Sequence, residues 1–456
     1  MKTCAFVTLG CKVNQYETQA IRESLAAHGF METSPEQKAD VYVINTCTVT
    51  SAGDEKSRQY IKKFKRKSPN ATVVVTGCYA EAEAEVIKSI EGVNYVITRE
   101  DESRLAEIIS RTTGQDFSSV TKSPLKIEES KDPFRHAPSQ ENGQISNTSE
   151  NPIYDLKISR FAGHTRAFLK IEDGCDVFCS YCIIPHVRGG VKSRGWQDIC
   201  DEAQRLIQNG YREIVLTGIH LGAYGREKKE GISFVDILER LSVLSGLERI
   251  RVSSIEVNEV TPAFIDLVAN SKNICPHFHI PLQSGDDFIL RRMNRTYTPQ
   301  RYLEIVDSIR SKIDLPSFTT DVMVGFPGET GKHFQNTVDF CKQVGFGRMH
   351  IFPFSVRKGT PAAKMPDHCR PQIIRRRRTI LKETADILAL AYKEHFVGGV
   401  AEVLVETERD QKTNRLCGYS ERYIKVLFNG PDEIKNTIVP VRIEAATPAC
   451  AVGKLI

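Results

Sequence analysis

The stretch Glu172-Asp173-Gly174-Cys175-Asp176-Val177-Phe178-Cys179-Ser180-Tyr181-Cys182 decides how the rest of the chain is read. It follows directly on Ala167–Ile171, a run that reads as a strand. Three thiolates at Cys-x3-Cys-x2-Cys spacing in one loop can hold three irons of a four-iron cluster and leave the fourth iron open to a ligand. A structural zinc loop is the competing reading. Zinc in such sites is closed by four ligands, and His186, close behind Pro185, is the only nearby candidate for the fourth.

Outward from this loop, residues 160 to 360 alternate strand and helix patterns. The strands predicted are Ala167–Ile171, Ile214–Thr217, Ile250–Ser254, His277–Leu282, Phe318–Val324 and Met349–Phe354. Six such units make a partial, open (β/α)6 barrel, whose site lies at the C-terminal strand ends where the cysteine loop sits. Polar or glycine residues mark other strand ends: Thr217-Gly218, Ser253-Ser254-Ile255-Glu256, Gln283-Ser284-Gly285, and Asp321 to Glu329.

Residues 1–112 form a separate block of β-branched runs, Ala5–Leu9, Val41–Asn45, Val73–Thr76 and Tyr95–Thr98, with amphipathic stretches Glu17–Ala27 and Glu55–Lys67 between them. The alternation predicts an α/β domain with a parallel sheet. Cys11, Cys47 and Cys78 each follow directly on one of these strands. Parallel strands about 4.8 Å apart would bring the three thiols to one sheet edge, with Gly10 and Gly77 allowing close backbone approach. Three unrelated buried cysteines are the alternative. Residues 113–159, rich in Ser, Thr, Asn, Gln, Glu and Lys, read as a flexible linker. The block that carries the cysteine loop then spans 160–392 and ends in a helix, Pro371–His395. Residues 393–456 carry short strands, Val400–Glu406, Arg415–Tyr419, Tyr423–Phe428 and Ile438–Glu444, and read as a small β-barrel.

Forty per cent hydrophobic and 26% charged residues fit a soluble globular protein, and 456 residues fit roughly three domains. Thirteen cysteines, an odd number in a long chain, argue against a secreted disulfide framework and for a reducing, cytoplasmic setting. No stretch of about 18 apolar residues is present, so no membrane helix is expected. The net charge of +5 permits nucleic acid binding without requiring it. Two basic runs point the same way more sharply: Lys62, Lys63, Lys65, Arg66 and Lys67 near the end of one helix, and Arg375, Arg376, Arg377 and Arg378 on another. Such density suits phosphate contact; a solvated or ion-paired helix face is the bland reading.

The Cys175–Cys182 motif resembles the radical S-adenosylmethionine superfamily. The resemblance implies that S-adenosylmethionine chelates the open iron and that an electron cleaves it to a 5′-deoxyadenosyl radical. It places Tyr181 against the adenine, Gly218 at the methionine moiety, and Ser254, Glu256, Gln283 and Asp321 among the polar contacts. Leu9-Gly10-Cys11-Lys12-Val13-Asn14-Gln15 and Asn45-Thr46-Cys47-Thr48-Val49-Thr50 extend the likeness over nearly the whole chain. It resembles the methylthiotransferase family, in the branch acting on threonylcarbamoyladenosine immediately 3′ of the tRNA anticodon.

That family resemblance implies two [4Fe–4S] clusters, the auxiliary one on Cys11, Cys47 and Cys78, and a TRAM-like RNA-binding barrel at the C-terminus. It implies sulfur insertion and methylation at the unactivated C2 of adenine. One S-adenosylmethionine gives the methyl group and another the radical. Implied partners are tRNA, a flavodoxin- or ferredoxin-like electron donor and a sulfur donor, with no membrane. Action on isopentenyladenosine tRNA or a ribosomal protein, and a non-catalytic metal-stabilised RNA-binding protein, are the alternatives. No catalytic residue beyond the cluster ligands is assigned.

Overall fold

Val41–Thr46 and Thr72–Gly77 are buried almost end to end. Strands covered on both faces read as continuous apolar runs, and parallel pairing requires their connections to cross a face. The computed structural model, which describes residues 2–113 and 156–456, shows this arrangement. Strands Thr3–Thr8 (β1), Met31–Glu32 (β2), Val41–Thr46 (β3), Thr72–Gly77 (β4) and Tyr95–Val96 (β5) form a wholly parallel sheet in the order β2-β1-β3-β4-β5. Helices Lys12–Ala27 and Leu105–Thr113 contribute Ile21, Leu25, Leu105 and Ile109 to one core layer. Ile61 and Phe64 of Ser51–Lys67 fill the other, Phe64 stacking on Tyr42 at 4.2 Å. The edge strand β2, too short and polar for a strand pattern, was not expected from the sequence. The linker predicted at 113–159 lies almost entirely outside the described residues.

In the second half, Ala167–Lys170 (β6), Glu213–Thr217 (β9), Arg249–Val252 (β10), His277–His279 (β11), Ser317–Val324 (β12) and Arg348–Pro353 (β13) are the six expected strands. They form two three-stranded parallel sheets, β10-β9-β6 and β11-β12-β13. Isolated parallel bridges, Ile250↔Ile274 and Ser254↔His279, connect the two into one open arc. A small antiparallel pair, Glu172–Asp173 (β7) with Lys192–Ser193 (β8), pins both ends of the excursion that carries Cys175–Cys182. Two-residue strands of this kind leave no periodic trace in a sequence.

Val400–Val405 (β14), Leu416–Ser420 (β15), Lys425–Asn429 (β16), Ile438–Ala446 (β17) and Ala451–Leu455 (β18) close into a barrel in the order β14-β15-β16-β18-β17. Its fifth strand, β18, was missed because Ala451-Val452-Gly453-Lys454-Leu455 is short and interrupted by glycine. Val403, Leu416, Val426, Phe428, Val441 and Ile443 fill the interior.

The chain divides into two compact units. One comprises Met1–Ile158 together with Ile183–Gly189 and Arg357–Gly359; the other comprises Ser159–Cys182, Gly190–Val356 and Thr360–Ile456. Within the second unit, arginines tie the small barrel to the strand arc. Arg251, almost wholly buried, donates to Glu213 (2.7 Å) and to the carbonyls of Glu421 (2.9 Å) and Ser420 (3.1 Å). Its guanidinium lies 4.5 Å from the Tyr423 ring centre, with Arg166 at 5.3 Å from the same ring. Removing one partner of a buried pair leaves an uncompensated charge and costs about 3–5 kcal/mol. Arg251→Ala should therefore lower the unfolding free energy by about that much in urea titrations; a loss below about 1 kcal/mol would contradict this account.

Candidate functional site

Parallel register aligns the N-terminal cysteines. Thr8 pairs with Asn45, and Thr46 with Gly77, so Cys47 and Cys78 leave the sheet at equivalent positions. Cys11 caps the helix Lys12–Ala27, and its thiol donates to Asn14 Oδ1 at 3.1 Å. Asn14 and Asn45 interlock beneath: Asn14 Nδ2 donates to Asn45 Oδ1 (2.8 Å), and Asn45 Nδ2 returns a bond to the Asn14 carbonyl (3.0 Å). Gly10 (φ +112°) passes so near Cys47 that an added Cβ would meet Cys47 Cβ at 2.9 Å. Gly77 (φ +88°) would meet Asn45 Oδ1 at 2.3 Å. Both glycines are thus required by φ and by space.

Burial acts on Cys47 and Cys78, whereas Cys11 is exposed. Desolvation pushes Cys78 up to about 12 and raises Cys47, and the charge of Cys11 adds to both shifts. Cys78 Sγ also accepts a hydrogen bond from Arg188 Nε at 3.2 Å. Arg188 forks onto Glu17, with Nη1 to Oε1 at 2.9 Å and Nη2 to Oε2 at 3.2 Å, in nearly complete burial.

The central loop has a comparable construction. Ser180 N donates to the Met293 carbonyl (2.9 Å), Ser180 Oγ to the Arg292 carbonyl (2.8 Å), and Asn294 Nδ2 to the Phe178 carbonyl (3.0 Å). The turn 292–294 therefore sets the loop that bears Cys175, Cys179 and Cys182. Cys179 is raised by burial, and Arg295 Nη1 donates to its sulfur at 3.2 Å. Arg295 in turn is ion-paired with Glu256. Asp176 and His220 gather about Cys175, His220 Nδ1 lying 3.9 Å from its sulfur. Glu259 holds the other ring nitrogen of His220 at 2.6 Å.

The remaining expected contacts are placed as follows. Tyr181 lies against Ile289, Met293, Phe326 and Ala362, edge-on to the Phe326 ring at 6.4 Å. Gly218 abuts the Glu172 carboxylate, which a Cβ would meet at 2.4 Å. Ser254 bridges to His279, and Gln283 (φ 60°) donates its N–H to the Asp321 carbonyl at 2.8 Å. The Asp321 carboxylate lies between His350 Nδ1 (3.1 Å) and His279 Nε2 (3.5 Å). Burial would raise Asp321, but the hydrogen bonds from both imidazoles outweigh it and hold the carboxyl well below its ordinary range.

The basic runs are not uniform. Lys62 and Arg66 are exposed, whereas Lys63 pairs with Glu36 at 3.1 Å, Lys67 donates to the Pro35 carbonyl at 3.3 Å, and the stem of Lys65 lies over Gly92. Arg375, Arg376 and Arg378 are exposed. Arg377 is a correction to the expected RNA-facing set: it turns inward, donating to the Glu329 carbonyl (2.9 Å) and pairing with its carboxylate (2.6 Å). Four successive arginines cannot share one helix face, and the residue at the core side finds a carboxylate.

Several residues at the site went unassigned in the sequence: Glu17, Arg188, Arg295, Glu172, His220, Glu259, Asn14 and Asn45. Arg188 did carry a signal, being a lone charge behind the apolar run Ile183-Ile184-Pro185. All thirteen cysteines are free.

The donor set fits iron–sulfur ligation. Desolvated thiols remain protonated and inert near neutral pH unless a cation compensates the thiolate. Arg188 and Arg295 further aim N–H groups at the sulfurs of Cys78 and Cys179, which would suit thiolate ligands.

Comparison with known proteins gives the family. Residues 3–98 match the profile described as "Uncharacterized protein family UPF0004", and 169–341 match the Radical SAM superfamily. The chain is 39% identical over 97% of its length, and 94% of the relative's, to the threonylcarbamoyladenosine tRNA methylthiotransferase MtaB of Bacillus subtilis. The chain belongs to the radical S-adenosylmethionine methylthiotransferases. A tRNA-2-methylthio-N(6)-dimethylallyladenosine synthase of Carboxydothermus hydrogenoformans is 32% identical over 97% of this chain and 96% of that one. Among solved structures, the radical S-adenosylmethionine methyltransferase TsrM of Kitasatospora setae superposes with a TM-score of 0.53 at 14% identity, over 79% of this chain and 74% of that one, a likeness of fold. The Radical SAM match carries an iron–sulfur cluster and S-adenosylmethionine with it. Among the described residues no helix is long and apolar enough to cross a membrane.

Glu172 offers a test of the site's electrostatics. Its Oε2 accepts from the N–H groups of Ile219 and His220, each at 2.8 Å, while desolvation raises its pKa from 4.5 to about 8. A carboxyl raised on folding stabilises fully below pH 4.5, and that contribution is lost as pH rises through about 8. Glu172→Gln should flatten this component of the pH dependence, measured by denaturant unfolding across that window; an unchanged slope would show that Glu172 titrates normally.

Proposed function

We infer that this protein is a tRNA methylthiotransferase that converts N6-threonylcarbamoyladenosine, next to the anticodon, to its 2-methylthio derivative. The observation that carries the reading is the 39% identity spanning 97% of the chain with a relative of that named activity. The two cysteine trios at strand ends support it. Cys175, Cys179 and Cys182 are assigned to the cluster that binds S-adenosylmethionine, and Cys11, Cys47 and Cys78 to a second [4Fe–4S] cluster. When bound, the reduced first cluster supplies the electron that cleaves the sulfonium of S-adenosylmethionine.

The chain's own residues do the rest. The loop anchored by Ser180 and Asn294 fixes the central sulfurs. Tyr181, Gly218, Ser254, Glu256, Gln283 and Asp321 are proposed to bound the S-adenosylmethionine cleft. Glu256 acts there through Arg295, and Asp321 with its two histidines. With S-adenosylmethionine bound, the cluster on Cys175, Cys179 and Cys182 would supply hydrogen-atom removal at adenine C2, the cluster on Cys11, Cys47 and Cys78 would supply the sulfur and take up the one electron released as the C–S bond forms, and another S-adenosylmethionine would supply the methyl group. Residues 1–112 are proposed as the sulfur-handling domain, 160–392 as the radical core and 393–456 as an RNA-binding barrel. Lys62, Arg66, Arg375, Arg376 and Arg378 are the exposed members of the basic runs offered to phosphates. A flavodoxin- or ferredoxin-like electron donor and a sulfur donor complete the proposed partners, in the cytoplasm.

Anaerobically reconstituted enzyme with tRNA carrying threonylcarbamoyladenosine should give the methylthio nucleoside by mass spectrometry. Product only from dimethylallyladenosine tRNA would overturn the branch. Cys179→Ala should abolish 5′-deoxyadenosine formation. Cys47→Ala should spare 5′-deoxyadenosine and stop sulfur transfer; full methylthio product from it would remove the N-terminal trio from the chemistry.

A further inference from the structure

Each cysteine trio has one sulfur that accepts a hydrogen bond from a buried arginine, and each arginine is held by a glutamate. The pairs are Arg188 with Glu17 at Cys78, and Arg295 with Glu256 at Cys179. The N-terminal pair is the more enclosed: both side chains are 1% exposed, and the fork is bidentate. Such a pair is weak evidence of a stability role, since burying two charges costs several kcal/mol before their attraction is counted. A guanidinium that serves only its carboxylate has no need to turn Nε toward a thiol.

We propose that Arg188, positioned by Glu17, sets the reduction potential of the iron–sulfur group held by Cys11, Cys47 and Cys78. Reduction adds negative charge to the cluster and its thiolates. A cation with its N–H on Cys78 Sγ favours the reduced form and raises the potential, and at this burial solvent screens the effect poorly. Glu17 acts in the opposite sense, drawing charge away from the sulfur while fixing the guanidinium plane. Arg188 and Glu17 are positioning residues: neither touches substrate. The proposal rests on the reading that the N-terminal trio holds a cluster.

The test uses full-length chain with Cys175, Cys179 and Cys182 changed to Ala, so that only the N-terminal site can load. Iron is counted first; about four atoms per chain are expected, and none would end the reading of the site itself. Midpoint potentials then follow from redox titration monitored by electron paramagnetic resonance. Glu17→Gln, which keeps Arg188 and removes its counter-charge, should raise the midpoint. Glu17→Gln with Arg188→Gln should lower it below the parent. Each shift is expected to be about tenfold in the reduction equilibrium, or 59 mV for one electron. Loaded variants that both match the parent, or that both shift the same way, would overturn the proposal. Should the double variant fail to accumulate, Glu17→Gln alone decides: a rise supports the proposal, and no change or a fall overturns it.

Discussion

Parallel pairing of β1, β3 and β4 is the constraint on which the N-terminal half depends. It puts three strand ends on one edge, and a cysteine follows within three residues of each: Cys11 after β1, Cys47 after β3 and Cys78 after β4. Antiparallel pairing would send alternate ends to opposite edges and separate the sulfurs. The price of this convergence appears in the backbone: positive φ at Gly10 and Gly77, where any side chain would strike Cys47 or Asn45. The Asn14–Asn45 exchange then closes polar groups that such a tight corner would otherwise strand.

Desolvation acts on part of each sulfur set: on Cys47 and Cys78 in one and on Cys179 in the other. Each trio includes at least one thiol withdrawn from water and facing an arginine. Thiols in such surroundings are shielded from oxidation and exchange by burial, and are charged only when a cation makes that favourable. The glutamates behind the arginines fix the guanidinium orientation, so the hydrogen-bond geometry at sulfur is set by carboxylates that do not touch the sulfur themselves.

Strand periodicity and cysteine placement made the architecture readable, because buried parallel strands leave long β-branched runs and a Cys-x3-Cys-x2-Cys loop has few other uses. Met31–Glu32, the β7–β8 pair and Ala451–Leu455 were hidden, being too short or too glycine-broken to show a period. The supporting residues were hidden for another reason. Glu17 and Arg188 are 171 positions apart, and their pairing is a property of the folded chain alone. Arg377 shows the converse: a run of like charges is locally uniform, yet the helix turn sends one member to a buried carboxylate that no sequence window contains.

The composition of the first compact unit bears on how this protein can be taken apart. Its sheet is encoded before residue 100, but Arg188 and Arg357, which answer the charges of Glu17 and Asp54, come from far downstream. A gene fragment ending at residue 113 would encode every N-terminal cysteine and neither of these arginines. The cysteine-bearing sheet is therefore not an exchangeable cassette: recombination that swaps it between relatives must also match two short segments encoded within the neighbouring module.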